Sequence, residues 1–153
     1  RSWRQRAGLD AAIAQLEVVG FSTGVRMASK FAGGKFPLTT ERSAMRYLCK
    51  ELWTILFRKQ ADRLQVDKKG NYIIHDNCFR WLEQLSGAPR GGERQAEMHE
   101  VTALHLAFPC GIIKGAMSAL GVECQVGFDS SVALPACCFT VTLSKEEQPP
   151  PST

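Results

Sequence analysis

Leu64-Gln65-Val66-Asp67-Lys68-Lys69-Gly70-Asn71-Tyr72-Ile73-Ile74 is the stretch on which the fold turns. Leu64 and Val66 alternate with polar neighbours, and Tyr72-Ile73-Ile74 returns at once to β-forming residues. Between them, Asp67-Lys68-Lys69-Gly70 offers turn chemistry with a glycine free to take positive φ. The spacing predicts a β-hairpin. A second extended pair follows near the carboxyl end, where Val122, Cys124 and Val126 alternate, Asp129-Ser130-Ser131 turns, and Cys137 to Leu143 (CCFTVTL) is rich in β-branched residues. Strands that arrive as neighbouring pairs, not singly between helices, favour an antiparallel sheet with helices on one face, the α+β class.

The helices flank these pairs. Leu9, Ala12, Ile13, Leu16 and Val19 recur at three- and four-residue steps, then Phe21, Val25, Ala28 and Phe31 resume the spacing after Gly20. This predicts two helical pieces joined at a bend and ended by Gly33-Gly34. Gly24 faces the same way as Phe21 and Ala28 and admits another backbone. After the extended Phe36-Pro37-Leu38, Thr39 or Thr40 caps a second helix with Met45, Leu48, Cys49, Leu52, Ile55 and Leu56 on its apolar stripe and Arg42, Arg46, Lys50 and Glu51 on the wet side. That helix is expected to end between Phe57 and Lys59. Cys78 to Leu85 fits either a short strand or a helical turn, and Ser86 to Gln95 reads as a loop. A long helix then spans Met98 to Leu120, kinked at or starting from Pro109, with Gly111 and Gly115 as a tight-packing face and Gly121 as its cap.

One domain over residues 9–143 follows, with 1–8 read as a disordered or truncated segment and 144–153, which ends in Pro149-Pro150-Pro151, as a disordered tail. At 153 residues with 44% hydrophobic and 22% charged composition, the chain has enough apolar material for a core. Charge is uneven: residues 1–69 hold 14 Lys and Arg against 6 acids, whereas 70–153 hold 5 against 9. A basic first half suits a peripheral module docking on anionic membrane or nucleic acid, yet cations spread over helices more often form a solvated face. No apolar run is expected to reach the ~20 residues needed to span a bilayer.

Catalytic and metal chemistry find little support. Six cysteines include no CxxC pair and no histidine at zinc spacing, and most stand in apolar company, as small hydrophobes in a reducing compartment do. His75-Asp76 resembles a base with its orienting carboxylate, but adjacent strand residues point to opposite faces. His99 and His105 fall on opposite sides of a helix. Gly111-Ile112-Ile113-Lys114-Gly115 lacks the phosphate-loop spacing, and the aromatics do not alternate with cations as a base-stacking surface would. No cofactor, metal or nucleic acid is expected, and no enzyme.

Five motifs in register carry a family likeness: Val19-Gly20-Phe21 with Gly24; Leu48-Cys49-Lys50-Glu51-Leu52-Trp53 with Lys59-Gln60; Tyr72-Ile73-Ile74-His75-Asp76-Asn77; Phe108-Pro109-Cys110-Gly111-Ile112-Ile113-Lys114-Gly115-Ala116; and Leu134-Pro135-Ala136-Cys137-Cys138-Phe139. Together they resemble the small subunits of the transport protein particle, TRAPP, in the component 6 branch. The resemblance implies helices on one side of a four-stranded antiparallel sheet. It also implies a non-catalytic subunit that pairs with TRAPP component 3 through amino-terminal helices, beside other TRAPP subunits. The complex, by the same resemblance, tethers vesicles around the endoplasmic reticulum and Golgi, is peripheral to their membranes, and promotes nucleotide exchange on a Rab GTPase.

Carried onto this sequence, the pairing surface is Leu9, Ile13, Leu16, Val19, Phe21, Gly24, Val25 and Ala28. On residues alone, those apolar positions serve a partner surface or the chain's own core equally well. Two departures stand out. Arg1 to Ala7 (RSWRQRA) is too short and polar to replace a further helix that family members carry there. Component 3 subunits also carry an acylated cysteine before the second helix, whereas Phe36-Pro37-Leu38-Thr39 has no thiol, so acylation is not carried over.

Overall fold

The computed structural model describes residues 2–32, 40–85, 92–129 and 135–144. The connector at 33–39, the loop at 86–91, the turn at 130–134 and the tail at 145–153 lie outside the described residues. In chain order the elements are α1 (Trp3–Ala32), α2 (Glu41–Tyr47), a π turn (Leu48–Leu52), α3 (Trp53–Phe57), β1 (Arg63–Val66), β2 (Tyr72–Asp76), a 3-10 helix (Arg80–Leu85), α4 (Gly92–Ala119), β3 (Cys124–Phe128) and β4 (Cys137–Leu143). The strands form an antiparallel sheet in the order β1-β2-β4-β3. This is the expected α+β arrangement.

The hairpin turns where the sequence places it. Asp67 Oδ1 accepts from the N–H groups of Lys69 and Asn71, both at 2.9 Å, and Gly70 takes φ +86°. Register then fixes the faces: Tyr72, Ile74 and Asp76 point into the core with Phe139 and Val141, while Ile73 and His75 point away. Trp53, Phe57, Phe79 and Phe139 meet edge-on or tilted at centroid distances of 4.7 to 6.2 Å and fill the space between sheet and helices.

Thr40 caps α2, its Oγ1 accepting from Ser43 N–H at 3.0 Å, and Arg58 closes α3 in the left-handed region at φ 66°. The π turn between them was not expected. Its wider step rotates the following residues, so Trp53 is fully buried and Ile55, assigned to the apolar stripe by sequence, is 41% exposed.

Several expectations are corrected. Helix α1 is a single element that starts at Trp3, so residues 3–8 are helical and not disordered, and Gly20 makes no break. Gly20 is a contact residue: a Cβ there would come within 2.3 Å of the Phe108 carbonyl oxygen. Helix α4 begins at Gly92 and runs through Pro109. It also contains a segment, Met98–Ala119, long and apolar enough to cross a membrane, contrary to the expectation for this chain. Its apolarity has an internal use, because 61% of that window is buried between α1 and the sheet. Within Cys78 to Leu85, Arg80–Leu85 forms a 3-10 helix, the helical one of the two alternatives.

Candidate partner-docking face

The position of α1 follows from two glycine pairs. Gly20 and Gly24 on α1 face Gly111 and Gly115 on α4, each pair spaced by four and so on one side of its helix. The two helices run in the same direction, with Gly111 against the backbone of Glu17 and Gly115 against that of Phe21. An added Cβ would reach carbonyl oxygens within 2.0 to 2.3 Å at all four glycines. Contact is therefore backbone to backbone, in the geometry of Cα–H···O approach. The close approach that sequence assigned to Gly24 is real, and the backbone it meets is the chain's own α4.

This packing covers one side of α1 most closely from Glu17 onward and leaves the opposite side exposed. Gly24 and Ala28 are buried within the chain, so they leave the expected pairing surface. Leu9, Ile13, Phe21 and Val25 are half-buried, and Leu16 and Val19 are exposed, at 37% and 52%. Sequence reasoning missed Trp3 and Val18, which are 75% and 68% exposed. The available signal was the recurrence of Ala11, Ala14, Val18, Phe21 and Val25 at three- and four-residue steps, muted by its alanines.

Beside this flank lies a groove. Two adjoining hollows of about 290 and 310 Å³ share Glu17, Cys110 and Val126 and lie along α1, α4 and the edge strand β3. Ala14, Val18 and Phe21 form its α1 wall, and Ala103 and Ala107 belong to its floor. Lys114 donates to Gln125 Oε1 at 3.3 Å near one end, and the His99 ring lies 6.0 Å from that of Phe128 near the other. The Cys110 thiol is pushed up to about 12, first by burial and then by the Glu17 carboxylate, so it stays protonated and packs as a hydrophobe. A mostly apolar depression beside exposed valines suits a protein surface that buries it.

The remaining polar cluster is structural. Asp76, 1% exposed, accepts from Trp53 Nε1 at 2.9 Å, from Lys59 Nζ at 2.9 Å and from the Cys78 N–H at 3.0 Å. Lys59 also bonds Asp62 at 2.7 Å, and Asp62 accepts from the Asn77 N–H at 2.6 Å. These bonds hold the Asp62 carboxyl below its ordinary value, with Lys59 the largest cause. His75 points the other way and bonds Gln65 at 2.8 Å, so it does not engage Asp76. Cys49 is likewise pushed up to about 12 by burial. Among the described residues no group of His, Cys, Asp and Glu is placed to hold a metal ion.

Comparison with known proteins agrees with this architecture. The family model described as transport protein particle (TRAPP) component matches residues 2–144. Trafficking protein particle complex subunit 6b of Danio rerio is 35% identical over 133 residues, covering 87% of this chain and 80% of the relative. Subunit 6A of Homo sapiens is 31% identical over 138 residues, covering 90% and 82%. Among solved structures, subunit 3 of Naegleria fowleri, covalently bound to palmitic acid, superposes with a TM-score of 0.67 over 90% of this chain and 82% of that one, at 15% identity. That likeness is one of fold. With a family model spanning nearly its whole length and relatives above 30% identity, this chain belongs to the transport protein particle (TRAPP) component family.

Proposed function

We propose that this chain is a non-catalytic scaffold subunit that pairs with TRAPP component 3 through the outward half of α1. The observation that carries the reading is the exposure of Leu16, Val18 and Val19 on α1, with Val18 on the groove wall beside Ala14 and Phe21. Burying a valine or leucine side chain contributes about 1.5–3 kcal/mol, and no other part of the described chain covers these. That the partner is another subunit of the trafficking complex is supported by the relatives, which are named as its subunits. In that role the chain sits in the cytoplasm, peripheral to endoplasmic reticulum and Golgi membranes, and serves vesicle tethering and Rab nucleotide exchange only through the assembly.

Mixing the purified chain with component 3 and weighing the product by light scattering tests the proposal. A heterodimer is expected. Two separate monomers at micromolar concentration contradict it.

A further inference from the structure

The free edge of the sheet runs beside the groove, and the register fixes which backbone groups it offers. β3 is the terminal strand in the order β1-β2-β4-β3. The Asp129 N–H donates to the Cys138 carbonyl at 2.9 Å, and the Ser144 N–H donates to the Glu123 carbonyl at 3.0 Å. Between these two bonds, Gly127 stands opposite Thr140 and Gln125 opposite Thr142. Bonded and unbonded pairs alternate in an antiparallel ladder, so Glu123, Gln125, Gly127 and Asp129 turn their backbone groups to β4. Cys124, Val126 and Phe128 turn theirs to the free side, where no strand follows and no backbone bond to another element is found among the described residues.

Val126 and Phe128 therefore have two uses. Their half-buried side chains line the hollows, Val126 in both, while their N–H and C=O groups point off the sheet. Whatever covers the groove meets a hydrogen-bonding edge as well as an apolar lining. A helix bonds its own backbone internally, so it would bury that edge unpaired and strip its groups of water. An extended segment gives them partners. Charge narrows the fit further. Lys114 stands at one end, 3.3 Å from Gln125 Oε1, and Glu17, which makes no ion pair among the described residues, belongs to both hollows. A carboxylate suits the Lys114 end and a cation suits the middle.

We infer that the protein docked on the α1 face contributes an extended segment that pairs with β3 as a fifth strand. Its alternate apolar side chains fill the two hollows, with an acidic residue at Lys114 and a basic one at Glu17. The inference rests on the pairing with component 3 proposed above and names the element by which that partner holds the groove.

Amide exchange followed residue by residue by NMR tests the inference, on the full chain alone and mixed with component 3, with light scattering on the same samples to report the complex. In the free chain the Val126 and Phe128 amides are expected to exchange faster than those of Gln125 and Gly127, and in the complex to slow by about tenfold or more. Two variants read the same bond in affinity. Val126→Pro removes an outward N–H and leaves the bonds to β4 in place, whereas Val126→Ala trims the side chain and keeps the donor. Val126→Pro is expected to bind component 3 about tenfold more weakly than Val126→Ala. A heterodimer in which the Val126 and Phe128 amides exchange as in the free chain overturns the inference and leaves the pairing through α1 standing. Equal affinity of the two variants does the same. Two separate monomers overturn both. Slowing that appears in the chain alone as its concentration rises assigns the edge to a second copy and also overturns the inference.

Discussion

Gly24 lies against the carbonyl of Ile112 so closely that a methyl group on its Cα would come within 2.1 Å of that oxygen. Replacing it with alanine forces α1 off α4. The gain in helix propensity, up to about 1 kcal/mol, offsets only part of an overpacking cost of typically 1–3 kcal/mol. Gly24→Ala is therefore expected to lower the melting temperature by several degrees. Gly8 sits in the same helix with nothing within 4 Å, and Gly8→Ala is expected to raise it. Thermal unfolding of the two variants side by side checks both signs.

Asp76 makes the second prediction. Asp76→Ala leaves the Trp53 indole N–H unpaired in the core and removes one carboxylate from Lys59. A loss of about 3 kcal/mol is expected in denaturant unfolding. Trp53→Phe keeps the packing and the other bonds to Asp76 while removing one donor, and its cost is expected to be smaller.

The same cluster sets a pH dependence. Asp62 has a depressed pKa in the folded chain, held there by Lys59 and by the Asn77 N–H. Its contribution is present above the ordinary carboxylate value of 3.8 and is lost as pH falls through the lower folded value. Lys59, raised by Asp62 foremost, contributes below its ordinary value of 10.5 and loses that contribution as pH climbs through the raised one. Both side chains are about one-third exposed, at 32% and 34%, so the effect is small, up to about 1 kcal/mol. Asp62→Asn is expected to flatten the acid limb of stability below the ordinary carboxylate value of 3.8.

For the docking face, Val18→Glu puts a charge on a side chain already 68% exposed. Monomer stability is expected to change by less than about 0.5 kcal/mol. Affinity for component 3 is expected to fall about 30-fold or more, since burial of the valine is lost and a carboxylate must be desolvated. Val66→Glu, on the hairpin and 54% exposed, is the control and is expected to leave affinity unchanged. Calorimetric titration reads both.

What the sequence discloses and what it conceals have physical reasons. The hairpin, the Thr40 cap, the Gly121 cap and the α+β class are local matters of turn chemistry and period, and they are legible. Gly20 looks like a break because glycine weakens a helix on local grounds; its use is non-local, as the place where α4 approaches. The start of α4 at Gly92 hides behind a polar, glycine-rich stretch. The rotation that exchanges Ile55 for Trp53 comes from a π turn that no 3.6-residue pattern contains. On α1, spacing marks the apolar positions, but part of the periodic stripe faces α4 and part faces out, and period alone cannot divide Ala28 from Val18. The Asp76 cluster joins residues up to 23 apart and leaves no local trace.

Hydrogen exchange on the chain with and without component 3 addresses the docking face most directly. Slowed exchange across residues 11–25 on complex formation, with the hairpin at 63–76 unaffected, is the predicted result. A complex that forms while exchange over 11–25 stays unchanged contradicts the account.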